Sequence, residues 1–131
     1  MKDRTFSLRT AQREQILIIT AEVQHALGGL TDGDGICTIV TPHTTCAISV
    51  NENADPEVRT DLTKALRAMI PDVSFRHGEG NSDAHLLSMM IGVSLSWPYK
   101  RGKLVLGTWQ GIYFIELDGP RERKVTVYVN E

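Results

Sequence analysis

A polar loop that runs straight into an apolar helical segment contains the residue types best suited to chemistry in this chain. It spans residues 77–91, with the sequence H-G-E-G-N-S-D-A-H-L-L-S-M-M-I. His77 and His85 bracket the loop, and Glu79 and Asp83 lie between them. Polar groups packed this densely beside an apolar element are costly to bury unless they are paired, ligated or solvated in a cleft. Because loops on a rigid scaffold commonly carry binding groups, the sequence suggests a metal or anion site here.

A third histidine lies in a polar turn between two predicted strands. His43 belongs to the segment T-P-H-T-T, in which Thr44 and Thr45 offer hydroxyl and backbone N–H groups. Such a turn can hold a phosphate or a metal-bound ligand, and the alternative is a hairpin turn whose threonines bond their own backbone. Three histidines with one open position form a catalytic zinc pattern. His43, His77 and His85 are therefore candidate ligands of a divalent metal, zinc or magnesium, or else surface and capping histidines.

Two carboxylates are candidates for proton transfer. Glu52 follows a predicted strand and precedes a helix, so it can face the same cleft as His43, as a general base or as a partner that orients a ligand. A solvated loop glutamate is the alternative. Asp83 precedes His85 by two residues, which suits a base or a metal ligand, and it also occupies a position that suits a helix N-cap.

A third set of residues is suited to binding phosphate. Arg121 and Arg123 are two apart in D-G-P-R-E-R, so along an extended segment both can point the same way and grip a phosphate or pyrophosphate. The alternative is a solvated basic hairpin tip. Gln110, in G-T-W-Q-G, places a polar amide between apolar strands, where it needs hydrogen-bond partners. With Thr44 and Thr45 of the polar turn, these residues are the candidate phosphate-binding set.

The elements that must position these groups are predicted from periodicity and from turn and cap residues. Predicted strands cover residues 5–10, 15–20, 36–41, 47–50, 93–97, 103–109, 111–117 and 124–129. The segments 103–109 and 111–117 have an alternative, a single bent strand with a bulge at Gln110-Gly111. Predicted helices cover residues 21–27, capped by Thr20, then 56–69 after the Asp55-Pro56 start, and a third segment capped by Ser82 or Asp83 that ends near Gly92. The pattern indicates an α+β fold: one compact domain over residues 1–131, a mostly antiparallel curled sheet or sandwich with about three helices.

Composition narrows the classes of partner. The chain has 131 residues, 41% hydrophobic and 23% charged, with a net charge of -2. This balance provides no basic field for nucleic acid, and aromatic side chains for stacking bases are few. Neither a secretory signal nor an apolar segment of about 20 residues is present, so we expect no membrane association and a cytoplasmic location. We accordingly expect Cys37 and Cys46 to be free thiols rather than a disulfide across a hairpin.

Six motifs follow one another in the order of a known family. They are H-T-T at 43–45, N-E-N-A-D-P at 51–56, G-N-S-D-A-H at 80–85, G-V-S at 92–94, L-G-T-W-Q-G-I at 106–112 and D-G-P-R at 118–121. Together they resemble the YjbQ-like family, also called secondary thiamine-phosphate synthases. The resemblance implies a compact α+β fold and a homotrimer with clefts between subunits. It also implies metal or anion binding at His43, His77 and His85.

The same resemblance implies a weak thiamine-phosphate synthase activity without an organic cofactor. That reaction joins a pyrimidine methyl pyrophosphate to a thiazole phosphate and releases pyrophosphate, which requires positive charge at the leaving oxygens. Two other hypotheses fit the same residues. One is a metal-dependent hydrolase or phosphatase, in which a metal-bound water attacks phosphorus. The other is a non-catalytic trimeric protein that binds a metabolite in its clefts.

Overall fold

A computed structural model describes all residues, 1–131, as two antiparallel sheets and three helices. The strands are β1 (Lys2–Arg9), β2 (Gln15–Ile18), β3 (Gly35–Val40), β4 (Cys46–Glu52), β5 (Ser94–Lys100), β6 (Lys103–Leu104), β7 (Gln110–Glu116) and β8 (Glu122–Val129). The helices are α1 (Thr20–Gly28), α2 (Pro56–Ala68) and α3 (Ser82–Ile91). One sheet has the order β1-β8-β3-β5-β6 and the other the order β2-β7-β4, with every pair antiparallel. The predicted α+β sandwich with three helices is confirmed.

Strand β7 lies at the centre of the molecule and is buried on both faces. Ile112 and Phe114 point into a core shared with the five-stranded sheet and α1. Tyr113 and Ile115 point into a second core, against α3 and the apolar side of α2. Because side chains of a strand alternate between its faces, one strand supplies both cores. The helices α2 and α3 therefore form a third layer over the smaller sheet, and α3 brings the polar loop with it.

Helix α2 begins as the sequence predicts, but the starts of α1 and α3 differ. Asp55 is the N-cap of α2 and accepts a hydrogen bond of 2.9 Å from a backbone N–H of the first turn. Thr20 was predicted as a cap but lies inside α1, where its hydroxyl accepts a hydrogen bond from the Ile112 N–H at 2.9 Å. The cap position of α3 is Asn81, so neither Ser82 nor Asp83 is the N-cap.

The structure excludes the hairpin alternative for T-P-H-T-T and shortens one predicted strand. β3 and β4 belong to different sheets, so T-P-H-T-T is a crossover between the layers and not a hairpin turn. The predicted strand 103–109 is reduced to the two residues of β6, and a turn closed by a hydrogen bond from the Gln110 N–H to the Gly107 carbonyl precedes β7. A single bent strand through this region is excluded because β6 and β7 lie in different sheets.

Both cysteines are free and buried, as predicted. Cys37 lies in β3 and Cys46 begins β4, and burial raises the pKa of each thiol. A raised pKa leaves little reactive thiolate, so these cysteines serve as apolar core residues. None of the three helices combines the length and hydropathy that spanning a membrane requires.

Candidate functional site

Three connecting segments meet in one polar cleft at the end of the sandwich where β4 begins and β7 ends. They are the crossover before β4, the loop before α3 and the turn between β7 and β8. The cleft has a volume of ≈ 450 Å³ and no hydrophobic lining residue. The predicted site residues that line it are His43, Thr44, Thr45, His77, His85, Arg121 and Arg123. We call it the histidine cleft.

His43 is held by the backbone of β8. Its Nε2 accepts a hydrogen bond of 3.0 Å from the Lys124 N–H, so the proton of the neutral ring is on Nδ1. Burial and the positive charge of Arg123 lower the pKa of His43 below its ordinary 6.5. At neutral pH this histidine is therefore uncharged and contributes one N–H donor to the cleft.

His77 and His85 form a close pair on the other wall. Their ring centroids are 5.8 Å apart and the rings are nearly perpendicular, at 83°. Glu79 Oε2 lies 3.8 Å from His77 Nε2, at the exposed mouth of the cleft. Because His85 is in the first turn of α3, the helix fixes its position, whereas His77 is in the exposed segment 71–80. The pair is close enough to act on one ligand.

The three candidate metal ligands His43, His77 and His85 all line the histidine cleft. No group of three or more His, Cys, Asp or Glu side chains is arranged to hold a metal ion. The Nε2 lone pair of His43 accepts the hydrogen bond from the Lys124 N–H and is therefore engaged. His77 and His85 lie close together and have side chains of a type that binds divalent metals.

Arg123 lines the cleft but is not free to bind phosphate. Its side chain is 3% exposed and forms a salt bridge with Glu116, which is 0% exposed. It also donates to the hydroxyl and carbonyl oxygens of Thr45, at 2.9 and 3.1 Å. Burial would raise the pKa of Glu116, but hydrogen bonds from Arg123 and Thr10 hold it below its ordinary value. Arg123 and Thr45 therefore form part of the wall of the cleft. The sequence analysis had instead paired Arg123 with Arg121 as a phosphate-binding residue.

Arg121 is the cation that the cleft presents to a ligand. Its side chain is 50% exposed, and Asp118 fixes it through two hydrogen bonds of 2.8 Å, one to the carboxylate and one to the backbone carbonyl. These bonds use Nε and one N–H of Nη2, so the remaining guanidinium N–H groups are available to an anion. Thr44 is exposed beside it on the crossover.

Asp83 lies beneath the cleft instead of lining it. Its carboxylate accepts hydrogen bonds from Arg67 at 2.6 Å and from Arg13 at 3.2 Å, and from the Ala84 N–H at 2.8 Å. Burial would raise the pKa of Asp83, but these hydrogen bonds and the charge of Arg13 hold it below its ordinary value. A carboxylate bound to two guanidinium groups is a poor base, so Asp83 anchors the start of the helix that carries His85.

Glu52 and Gln110 lie at the far end of the smaller sheet, where they face each other in the β4–β7 register. β4 has seven residues and separates Glu52 from the His43 crossover by about 20 Å. The carboxylate of Glu52 accepts the Asp55 N–H at 2.9 Å, and Gln110 Oε1 accepts the Gly107 N–H at 2.8 Å. The sequence suggested that both residues belong to the site, but within one chain neither of them reaches the histidine cleft.

Asn81 is a cleft residue that the sequence analysis did not identify. It is 6% exposed and donates through Nδ2 to the Asp118 carboxylate at 2.9 Å. Its Oδ1 is buried and has no hydrogen-bond partner. An unpaired buried carbonyl oxygen is costly, so Asn81 is suited to accept a hydrogen bond from a ligand. Its place directly before the α3 segment, within G-N-S-D-A-H, was the available signal.

A larger depression of ≈ 710 Å³ adjoins the cleft. His43, Thr44 and His85 line both, and the depression has the hydrophobic side chains Met89 and Val93 in its lining, whereas the cleft has none. His43 and His85 thus lie between a polar compartment and a partly apolar one. This arrangement suits a ligand that has an anionic part and an organic part.

Comparisons with known proteins agree with the fold and the motifs. A family model described as UPF0047 protein YjbQ-like matches residues 4–131. A UPF0047 protein of Methanocaldococcus jannaschii is 45% identical over 125 residues, covering 95% of this chain and 91% of that protein. UPF0047 protein YugU of Bacillus subtilis is 41% identical over 128 residues and 96% of both proteins.

Solved structures resemble the chain over almost its whole length. The crystal structure of a YjbQ/UPF0047 family protein from Clostridium acetobutylicum gives a TM-score of 0.91 at 44% identity, covering 97% of this chain and 99% of that one. The hypothetical protein APE1520 from Aeropyrum pernix K1 gives a TM-score of 0.92 at 38% identity over 100% of both chains.

Proposed function

The chain belongs to the UPF0047 family of YjbQ-like proteins, and we propose that its histidine cleft is the active site of a transferase for phosphorylated small molecules. The reaction class is that of thiamine-phosphate synthase, in which a pyrimidine methyl pyrophosphate and a thiazole phosphate are joined. The observation that carries the proposal is a cleft with no hydrophobic lining residue that combines Arg121 with three histidines. A cleft of this composition favours an anionic ligand group.

The proposed roles follow from the hydrogen bonds of each residue. Arg121, fixed by Asp118, binds the leaving pyrophosphate, and the Nδ1–H of His43 donates to one of its oxygens. The bond from the pyrimidine methylene carbon to the pyrophosphate oxygen breaks as a bond from the thiazole nitrogen to that carbon forms. The electron pair leaves with pyrophosphate, and His85 donates a proton to it. Preorganised donors aimed at the developing charge are the main source of rate in such a site.

The two compartments support a division of the substrate. The pyrophosphate occupies the histidine cleft, and the heterocyclic rings occupy the depression beside Met89 and Val93. The bond that breaks then lies at the boundary, next to His43 and His85, which line both compartments.

A metal-dependent phosphatase is a second candidate, supported by the 5.8 Å separation of the His77 and His85 rings with Glu79 nearby. It predicts release of phosphate from simple esters, which the transferase does not. A non-catalytic metabolite-binding protein predicts ligand-dependent stabilisation without any turnover.

The test is a pair of assays on protein purified without a histidine tag. Thiamine phosphate and pyrophosphate are measured with the two synthase substrates, and phosphate is measured with a panel of esters, each with and without zinc or magnesium. We expect stoichiometric formation of thiamine phosphate and pyrophosphate, reduced about a hundredfold or more in His85→Ala and Arg121→Ala. His25→Ala is the matched control because His25 is exposed on α1, outside the cleft. Equal activity of His85→Ala and His25→Ala would exclude the proposal.

We also propose a homotrimeric assembly in the cytoplasm. The family resemblance and the exposed apolar side chains Trp109 and Met89, at 65% and 77%, support an assembly of subunits. The two free, buried thiols support a reducing compartment. Light scattering coupled to gel filtration tests the assembly, and a monomeric mass at micromolar concentration would exclude it.

A further inference from the structure

A second polar cavity lies between β2 and α2, on the outer side of the smaller sheet. It has a volume of ≈ 350 Å³, and one of its nine lining residues, Ile16, is hydrophobic. It shares no residue with the histidine cleft. The residues that matter for its chemistry are Gln12, Gln15, Arg59 and Lys64. We call it the α2 cavity.

Arg59 is a cation without an anion. Its Nη1 is shielded from solvent and has no hydrogen-bond partner. Neither Arg59 nor Lys64 belongs to any of the salt bridges of the chain. The one carboxylate at the cavity, Glu14, is neutralised by Arg67 at 2.7 Å. The cavity therefore holds two positive charges without a salt-bridge partner, one of them on a partly buried side chain.

An unpaired buried donor on a charged group is costly and usually indicates a missing acceptor. Other donors surround Arg59. Gln15 uses its Oε1 to accept the Ala11 N–H at 2.8 Å, which leaves its Nε2 as a donor, and Gln12 offers a further amide. A planar guanidinium fork beside an ammonium group matches the oxygens of a phosphate, which carries more charge than a single carboxylate. The volume exceeds that of inorganic phosphate and leaves room for a small organic substituent.

We propose that the α2 cavity is a phosphate-binding site, for inorganic phosphate or a small phosphate monoester, with Arg59 and Lys64 as its cations. The site is separate from the histidine cleft and does not depend on the function proposed for it.

The test is a titration of ¹⁵N-labelled protein with inorganic phosphate, followed by amide chemical shifts at constant ionic strength. Wild-type protein, Arg59→Gln and His85→Ala are compared. We expect saturable shifts at residues 12–16 and 59–64 that persist in His85→Ala and whose Kd rises about tenfold or more in Arg59→Gln. Shifts at residues 43–45 and 121 report the cleft independently, so failure of one site does not imply failure of the other.

Additional ligands and variants identify the ligand and test the alternatives. Glycerol phosphate in place of inorganic phosphate distinguishes a monoester from the free ion, and acetate at equal concentration should give no saturable shifts. Lys64→Gln replaces Arg59→Gln if the latter does not fold. Absence of shifts at the α2 cavity, or equal Kd values in wild type and Arg59→Gln, would overturn the proposal. The proposal would also be overturned if wild-type protein bound no phosphate at the α2 cavity and Arg59→Gln had a lower oligomeric mass than wild type. That result would assign Arg59 to a contact with a second copy of the chain.

Discussion

At the level of single residues, the histidine cleft depends on one buried ion pair. Arg123 and Glu116 are almost fully shielded from solvent, and Thr10 and Thr45 satisfy their remaining groups. The pair joins the end of β7 to β8 and holds the Thr45 end of the crossover. The signal for this pair in the sequence is a carboxylate at the end of an apolar strand, in G-I-Y-F-I-E-L. Its partner, Arg123, lies in a strand of the other sheet. Local sequence patterns do not indicate which strands of the two sheets come together.

Glu116→Gln should therefore destabilise the protein strongly. The substitution leaves the Arg123 guanidinium buried without its counter-charge, and breaking such a pair costs about 3–5 kcal/mol. Urea unfolding measures the loss. Removing both charges, in Glu116→Gln with Arg123→Met, should restore part of the stability because no buried charge then remains unpaired. A double variant less stable than Glu116→Gln alone would contradict this account.

The histidines differ in their capacity to bind a metal. The Nε2 of His43 accepts a hydrogen bond from the Lys124 N–H and is not free for a metal. Binding of zinc to the protein should therefore require His77 and His85 but not His43. We expect the zinc affinity to fall about tenfold or more in His77→Ala and His85→Ala and to stay unchanged in His43→Ala. Calorimetric titration measures these affinities. Equal losses in all three variants would restore the three-histidine set.

At the level of elements, α2 and α3 are tied to the sheet by ion pairs that converge on Asp83. Arg67 extends from α2 and Arg13 from the loop before β2, and both reach the first turn of α3. The same turn carries His85, and Asn81 just before it is bonded to the turn of Asp118. The position of the polar loop thus depends on a network whose members are distant in sequence.

Asp83→Asn should weaken this network in a pH-dependent way. Since the folded-state pKa of Asp83 is lowered, its contribution to stability is complete above its ordinary value near 4 and disappears as the pH falls below it. We expect a loss of about 1–2 kcal/mol at neutral pH, because the guanidinium partners are 40% and 48% exposed and screened by solvent. The difference from wild type should shrink below about pH 4.

Chemical unfolding at several pH values measures that difference. Asp61→Asn is the control, since Asp61 is exposed on α2 and outside every ion pair. A difference between wild type and Asp83→Asn that persists unchanged in acid would show that the charge of Asp83 is not what stabilises the network.

The elements also explain which parts of the site were predictable. The helix start at Asp55-Pro56 follows from a local motif and was predicted. The meeting of His43 with His85 joins distant segments, and the sequence offered it only as one of two alternatives. Glu52 was placed beside His43 because the two flank one strand, but a strand separates its ends by about its full length. The sequence also did not show that β3 and β4 belong to different sheets, because contacts between distant segments decide which sheet a strand joins.

At the level of the whole molecule, the polar residues lie at two ends of the smaller sheet. His43, His85 and Arg121 lie at one end, and Glu52 and Gln110 lie at the other. If the proposed trimer places the far end of one subunit against the cleft of the next, residues about 20 Å apart in one chain act in one site. Closed symmetry would repeat that composite site at every interface.

Mixed assemblies test this arrangement directly. We expect His85→Ala and Glu52→Gln each to reduce the synthase activity as pure proteins, and a refolded mixture of the two to regain part of it. Activity returns because some interfaces then join an intact cleft to an intact Glu52, whereas every interface of a pure variant carries a defect. A mixture of His85→Ala with Arg121→Ala is the control, since both changes lie in the cleft of one chain. Under the proposed arrangement every cleft in the control mixture carries one of the two changes, so no activity returns. Equal activity in the two mixtures would place the whole site within one subunit.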